Sequence, residues 1–193
     1  MAKDILLMLE QLRSSKIMHR DFKSQNIVVS RNHRLILIDF GSATEMRHKM
    51  AMTGRILTTP HVRAPEIVCG LHNYSYAVDV YAAGCVLWSI FTGGETMLPN
   101  LHSSVLRTRA DQVKFHFGEL RSVLGTEVRV TKNMRIARRF GKLYHEVRSW
   151  TPRKRMVHEL FYERHRMAVS SQKTPKLDRV STVHACSLVS KML

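Results

Sequence analysis

Asp21, Lys23, Asn26 and Asp39 are the residues of this sequence whose types and spacing are best suited to chemistry. Carboxylate and amide oxygens are the ligands that a hard divalent cation prefers, and a lysine ammonium group neutralises charge on a phosphate. Because two aspartates are present, one can help to hold a metal while the other stays free to act as a base. The set therefore indicates phosphate chemistry at a divalent metal ion.

A short β-hairpin is predicted to bring these residues together. Residues 27–29 and 35–38 are apolar runs, and the polar residues 30–34 lie between them. Two β-type runs joined by a polar turn are typical of an antiparallel hairpin. The segment with Asp21 precedes the first run and Asp39 follows the second, so each end of the hairpin has a carboxylate and the two face each other.

Helices account for most of the remaining pattern. Residues 2–15 have apolar side chains at helical spacing, and Asp4 is a candidate N-cap. Residues 75–92 are apolar nearly all round, which predicts a buried central helix. An apolar helix is also predicted over residues 183–193. The predicted fold class is α+β and mainly α-helical.

Three short motifs resemble the catalytic lobe of eukaryotic protein kinases. They are His19-Arg20-Asp21-Phe22-Lys23-Ser24-Gln25-Asn26, Asp39-Phe40-Gly41 and Ala64-Pro65-Glu66. The kinase signatures are H-R-D-L-x-x-x-N, D-F-G and A-P-E, so the first motif departs only in having Phe22. Each motif is weak alone, but their order and the interval between the aspartates are typical of the family. The resemblance implies a protein-kinase-like C-terminal lobe, with the hairpin between its catalytic and metal-binding loops.

The resemblance implies a role for each of the four polar residues. Asp21 would orient the substrate hydroxyl and accept its proton, and Lys23 would neutralise charge on the transferred γ-phosphoryl group of ATP. Asn26 and Asp39 would hold Mg²⁺ through oxygen ligands. A lysine two residues after the aspartate is the pattern of serine/threonine kinases, so the implied function is a protein serine/threonine kinase that uses ATP and Mg²⁺.

Other positions match residues that support catalysis in this family. His19 and Phe40, with Gly41 completing the motif, would belong to the apolar spine that sets the active geometry. Arg20 would meet a phosphorylated activation loop, the alternative being a salt bridge with a local carboxylate. Thr59 would form hydrogen bonds with the catalytic aspartate and lysine.

Four further residues complete these expectations. Asp79 would accept hydrogen bonds from the backbone of the catalytic loop, the alternative being a plain helix N-cap. Arg63, directly before the third motif, resembles the CMGC group, which includes cyclin-dependent and mitogen-activated kinases. Glu66 would need a cation other than the usual arginine, or would be partly buried at a cost in stability. Thr53 is the hydroxyl nearest to the usual activating phosphosite.

The sequence is interpreted as one partial protein kinase domain over residues 1–193. The Gly-rich loop and the strand lysine of the kinase N-terminal lobe have no counterpart in it, so we expect a fragment. The predicted parts are a catalytic loop 19–26, a metal-binding loop 39–41, an activation segment 39–66, the central helix 75–92, a basic CMGC-like extension 95–170 and a truncated final helix 183–193.

The composition is strongly basic, with a formal net charge of +16 and a sequence pI near 10.4. Such a charge favours anionic partners, here ATP and acidic docking partners, beside the protein substrates of a kinase. Basic and aromatic residues are interleaved between 132 and 166. A solvated basic face with aromatics in the core is the commoner explanation of that mixture, and we do not expect nucleic-acid binding as the main role.

The three cysteines, Cys69, Cys85 and Cys186, lie far apart and have no metal-ligand spacing. This use of cysteine predicts a reduced intracellular compartment, cytoplasmic or nuclear. No apolar run approaches the length of a membrane span, so no membrane partner is expected.

Two functions stay open: a serine/threonine kinase with intact catalytic residues, and a catalytically inactive kinase-like binding or regulatory module.

Overall fold

The computed structural model describes residues 1–46, 58–71, 74–98, 108–124 and 157–193. Within these ranges the chain forms six α-helices and four short strands. The helices are α1 Ala2–Ser14, α2 Pro65–Val68, α3 Ala77–Phe91, α4 Arg109–Leu124, α5 Val157–Ser170 and α6 Arg179–Met192. The strands are β1 Ile17–Met18, β2 Ile27–Val29, β3 Leu35–Leu37 and β4 Thr44–Glu45. These elements confirm the predicted fold class, which is α+β and mainly α-helical.

Strands β2 and β3 form the predicted antiparallel hairpin. Ile27 pairs with Leu37 and Val29 pairs with Leu35. The turn is closed by the Ser30 amide, which donates to the Arg34 carbonyl at 2.8 Å. The hairpin is continued toward the site by a further bond, from the Ile38 amide to the Asn26 carbonyl, at 2.8 Å.

A second antiparallel pair joins β1 to β4. Ile17 pairs with Glu45 and Met18 pairs with Thr44. Strand β1 leads into the catalytic loop, and β4 follows the 3₁₀ turn Phe40–Ser42. The pair therefore holds the chain segments on either side of the hairpin together.

Helix α1 confirms the predicted periodicity, because Ile5, Met8 and Leu12 are buried on one face. The expected N-cap at Asp4 is wrong. Met1 occupies the N-cap position, and the Asp4 carboxylate instead accepts a 2.9 Å hydrogen bond from Nε of Arg34. This ion pair ties α1 to the turn of the hairpin, which is a tertiary contact that helical spacing cannot reveal.

Helix α3 lies at the centre of the core and spans Ala77–Phe91, within the predicted range of 75–92. Its buried residues surround the helix axis, as the nearly continuous apolar sequence indicates. Trp88 packs edge to face on Phe161 of α5, with ring centroids 5.7 Å apart. At Gly84 a Cβ would lie 3.0 Å from Cβ of Met192, so the glycine permits the close approach of α3 and α6.

The final helix was predicted over residues 183–193, and this start is wrong. Helix α6 begins at Arg179, because the Asp178 side chain caps it by accepting a 2.9 Å hydrogen bond from the Ser181 amide. The cap adds residues 179–182 to the helix, ahead of the predicted start.

Parts of the predicted activation segment and of the predicted basic extension lie outside the described residues. Thr53 is such a part of the activation segment, and residues 125–156 are such a part of the extension. Of the aromatics in that extension, Phe161 is fully buried in the core, whereas Tyr162 is exposed. Among the described residues, no helix has the length and apolar character needed to cross a membrane.

Candidate active site

The catalytic loop is held in place by the buried carboxylate of Asp79. Asp79 lies in the first turn of α3 and is 2% exposed. Its Oδ2 accepts a 2.7 Å hydrogen bond from the His19 amide, and its Oδ1 accepts a 2.8 Å bond from the Arg20 amide. Burial raises the pKa of the Asp79 carboxyl, because the two amide bonds offset only part of the desolvation. The N-cap of α3 is Tyr76, so Asp79 is a loop anchor and not the plain cap of the alternative interpretation.

The carboxylate of Asp21 is contacted by three side chains, those of Lys23, Thr59 and Asn26. Lys23 Nζ lies 2.5 Å from Oδ2 of Asp21, and the Thr59 hydroxyl donates to Oδ1 at 2.8 Å. Lys23 Nζ also donates to Oγ1 of Thr59 at 3.3 Å. Burial by itself would raise the pKa of Asp21, but the hydrogen bonds from Lys23 and Thr59 outweigh it and hold that pKa below its usual value. Asp21 is therefore an ionised acceptor at neutral pH.

Asn26 supports the same carboxylate from the start of the hairpin. Its Nδ2 donates to the Asp21 carbonyl at 2.9 Å and lies 3.3 Å from Oδ2 of Asp21. Because Nδ2 is engaged in this way, the amide Oδ1 of Asn26 keeps its capacity as an acceptor or a metal ligand.

Asp39 stands at the other end of the hairpin and is exposed. Its φ of 63° is in the left-handed region, and its Oδ1 accepts a 3.3 Å hydrogen bond from the Gly41 amide. A Cβ at Gly41 would lie 3.2 Å from that same Oδ1, so glycine leaves room for the carboxylate. The bond between Ile38 and Asn26 brings Asn26 and Asp39 to one end of the hairpin.

The donor set at this end fits Mg²⁺. A carboxylate and an amide oxygen suit a hard cation that takes its other ligands from phosphates and water. In the described part of the chain, no group of three or more histidine, cysteine, aspartate or glutamate side chains is placed to hold a metal. A metal here would consequently depend on Asn26, Asp39 and the phosphates of a nucleotide.

His19 connects the catalytic loop to the metal-binding loop. Its ring packs edge to face on Phe40, with centroids 4.9 Å apart. Nε2 lies 3.1 Å from the Ile38 carbonyl, and Nδ1 accepts a 3.3 Å bond from the Asp21 amide. A carbonyl only accepts, so Nε2 has the proton and Nδ1 is the acceptor. Phe22, at the position where the family has leucine, is fully buried beside His19.

Arg20 reaches the segment that follows the metal-binding loop. Its Nε donates to the Ser42 carbonyl at 2.6 Å. The sequence had offered a phosphorylated loop or a local carboxylate as its partner, and a backbone carbonyl was not expected. The candidate phosphosite Thr53 lies outside the described residues.

Arg63 and Glu66 lie around the third motif. Nη2 of Arg63 donates to the Thr58 carbonyl at 2.7 Å, and Nε lies 3.2 Å from the Thr58 hydroxyl. These bonds shape the segment that presents Thr59 to Asp21. Burial raises the pKa of Glu66, and the ion pairs among the described residues do not include it.

His116 is a residue of this region that the sequence did not single out. It lies on α4, is buried, and its Nε2 has no hydrogen-bond partner among the described residues. Burial, followed by the nearby charge of Arg63, lowers the pKa of His116 to about 3. The sequence does not indicate that this single histidine is buried, because its burial depends on how α4 packs.

The sequence matches the protein kinase domain family over residues 1–165. Serine/threonine-protein kinase prpf4B of Dictyostelium discoideum is 44% identical over 93 residues, which are 48% of this chain and 11% of that protein. CTD kinase subunit alpha of Saccharomyces cerevisiae is 38% identical over 89 residues, 46% of this chain and 17% of that protein. Mitogen-activated protein kinase pmk-1 of Caenorhabditis elegans is 39% identical over 95 residues, 49% of this chain and 24% of that protein.

A solved structure of the yeast RNA Pol II CTD kinase CTDK-1 complex is also similar. It superposes with a TM-score of 0.52 at 30% sequence identity, and the match covers 64% of this chain and 36% of that chain. This chain thus spans a minor part of the length of each relative described. These relatives are serine/threonine and CMGC-type kinases, as the motifs led us to expect. Because the family match includes most of its residues, the chain belongs to the protein kinase family.

Proposed function

We propose that this chain transfers the γ-phosphoryl group of ATP to serine or threonine hydroxyls of proteins. The observation that supports this most strongly is the Asp21 carboxylate, which Lys23 and Thr59 hold ionised through hydrogen bonds. An ionised carboxylate of this kind can accept a proton only from a group that becomes more acidic as it reacts. A hydroxyl that attacks a phosphorus atom is such a group.

In this proposal Asp21 orients the substrate hydroxyl and takes its proton as the new O–P bond forms. The bond between the γ-phosphorus and the bridging oxygen breaks, and ADP leaves. Lys23, already in contact with Asp21, neutralises charge on the transferred group. Asn26 keeps the loop closed by its bond to the Asp21 carbonyl.

Asn26 and Asp39 are the residues that would hold Mg²⁺, which shields the negative charge of the β- and γ-phosphates. The role of this chain is to supply the two oxygen ligands at one end of a hairpin. Glycine at position 41 keeps the Asp39 carboxylate uncrowded.

The proposed partners follow from the same chemistry. They are ATP, protein substrates with serine or threonine, and acidic docking partners for the basic surface. Localisation within the cell, in the cytoplasm or nucleus, is part of the proposal, and the free state of Cys69, Cys85 and Cys186 supports it.

The test is transfer of label from γ-labelled ATP to a generic basic protein by the 193-residue chain with Mg²⁺, followed by analysis of the phosphorylated amino acids. We expect phosphoserine and phosphothreonine. Label should vanish in Asp21→Asn and persist in Asp178→Asn, in which asparagine still caps α6. No label with any of the three proteins would contradict the proposal and favour the alternative, a catalytically inactive kinase-like binding or regulatory module.

A further inference from the structure

A cavity of about 450 Å³ lies between α5, the segment 171–178 and the start of α6. One face of α5 contributes Tyr162, His165 and Val169, and the connecting segment contributes Leu177. Its size is that of an ordinary ligand pocket, and none of the residues proposed for phosphoryl transfer lines it.

The walls of this cavity are fixed by contacts with the end of α3. Nδ1 of His165 lies 2.7 Å from the Phe91 carbonyl, and Arg164 Nη1 lies 2.6 Å from Oε2 of Glu95. Gly93 has a φ of 72°, and a Cβ there would lie 2.8 Å from Cβ of Ala168. Because α5 packs directly against this glycine, the cavity is preformed.

Two buried polar side chains line the cavity with acceptor atoms to spare. His165 and Thr182 are each 6% exposed. In the tautomer with the proton on Nδ1, which donates to the Phe91 carbonyl, Nε2 of His165 is an acceptor. The Thr182 hydroxyl donates to the Asp178 carbonyl at 2.8 Å, which leaves its oxygen as an acceptor. A ligand that satisfies both must bring hydrogen-bond donors.

The rim of the cavity is cationic and apolar. Arg166 and Lys176 line it and are exposed, with Glu163 as the one carboxylate among the lining residues. Tyr162, which also lines the cavity, is a large aromatic side chain exposed to solvent. Exposed tyrosine is enriched in protein-binding surfaces.

We propose that this cavity, with its rim, binds a short acidic peptide segment of a partner protein. An apolar side chain of the peptide would enter between Val169 and Leu177, and its backbone N–H groups would meet His165 and Thr182. Flanking carboxylates would face Arg166 and Lys176. An ionised fatty acid matches the apolar walls and the cations but offers no donors, which is why the chemistry favours a peptide. This inference rests on the acidic docking partners proposed above and gives them a site, and it does not depend on phosphoryl transfer.

The test is fluorescence anisotropy with a labelled octapeptide of two leucines between glutamates, titrated with the 193-residue chain without nucleotide. We expect saturable binding. Replacing the leucines by serine, or the glutamates by lysine, should weaken it at least tenfold. The double variant Arg166→Glu/Lys176→Glu should weaken binding by a similar factor, and Val169→Thr, which keeps the volume, should weaken it severalfold.

The matched control is Lys3→Glu/Arg31→Glu, which makes the same charge change at exposed positions on α1 and in the hairpin turn. It should change the affinity less than twofold. An equal loss of affinity in this control, or undiminished binding of the serine peptide, would show that the peptide binds through general electrostatic attraction. Either result would overturn the proposed site. Binding of phosphatidylserine vesicles through Arg166 and Lys176, with no binding of the peptide, would overturn the assignment to a peptide.

Discussion

Oδ2 of Asp79 accepts a 2.7 Å hydrogen bond from the backbone amide of His19, sixty residues earlier in the chain. This contact joins the central helix α3 to the catalytic loop, and Arg20 adds a second bond to the same carboxylate. The position of Asp21 therefore depends on a helix whose own residues take no part in the chemistry. Fold stability and site geometry are coupled through this one side chain.

We predict that Asp79→Asn destabilises the chain by about 2–3 kcal/mol, because the amide has one acceptor and leaves a buried backbone N–H without a partner. For a chain of this size the loss corresponds to a melting temperature roughly 4–12 °C lower. Thermal unfolding followed by circular dichroism measures it. Asp178→Asn is the control and should melt like the wild type; equal melting of all three would show that the anchor is unimportant for stability.

Thr59→Ala should raise the pKa of Asp21, because it removes the hydroxyl that donates to Oδ1 at 2.8 Å. A base whose pKa rises is protonated at a higher pH, so the acid limb of the pH–rate profile for phosphoryl transfer should move to higher pH. The rate at neutral pH should fall by about tenfold, the value of a hydrogen bond to a charged group. Thr59→Ser keeps the hydroxyl and should retain the wild-type limb. An unshifted acid limb in the alanine variant would show that Thr59 does not affect the pKa of Asp21.

The hairpin, the central helix and the meeting of Asp21, Lys23 and Asn26 could be predicted from the sequence, because local periodicity and short-range spacing encode them. The pairing of Ile17–Met18 with Thr44–Glu45 could not, since two residues are too short to show alternation. The hydrogen bond from Arg20 to the Ser42 carbonyl could not be predicted either, because every residue has a backbone carbonyl that can accept one.

Glu66→Gln should stabilise the chain at neutral pH but not in acid. The folded pKa of Glu66 lies above its ordinary value of 4.5 because the carboxylate is desolvated. Ionisation therefore costs more free energy in the folded than in the unfolded state. That cost is absent below the unfolded pKa, grows between the unfolded and the folded pKa, and is complete above the folded pKa. Urea unfolding at pH 4 and pH 7 measures the difference, with the exposed Glu10→Gln as control. A variant that is less stable than the wild type at pH 7 would mean that Glu66 has a stabilising partner.

His116→Leu should make stability less sensitive to acid. The pKa of His116 is lowered by burial from 6.5 to about 3, so the neutral folded form contributes stability that is present above about pH 6.5 and is lost as pH falls toward 3. Leucine cannot titrate, and it also removes a buried nitrogen without a hydrogen-bond partner among the described residues. Urea unfolding between pH 4 and pH 7 should give a flatter profile for the variant, whereas the exposed His184→Leu should keep the wild-type slope. Parallel profiles for His116→Leu and wild type would refute the buried neutral state.

The most direct test of the central claim separates nucleotide binding from chemistry in Asp21→Asn. ATP affinity is measured by thermal shift with Mg²⁺, and the rate of phosphoryl transfer is measured under single-turnover conditions. We predict unchanged affinity with a rate lower by about 10²–10⁴, because the variant loses the proposed general base and keeps Asn26 and Asp39, the proposed metal ligands. A variant that transfers phosphate as fast as the wild type would contradict the assignment of Asp21.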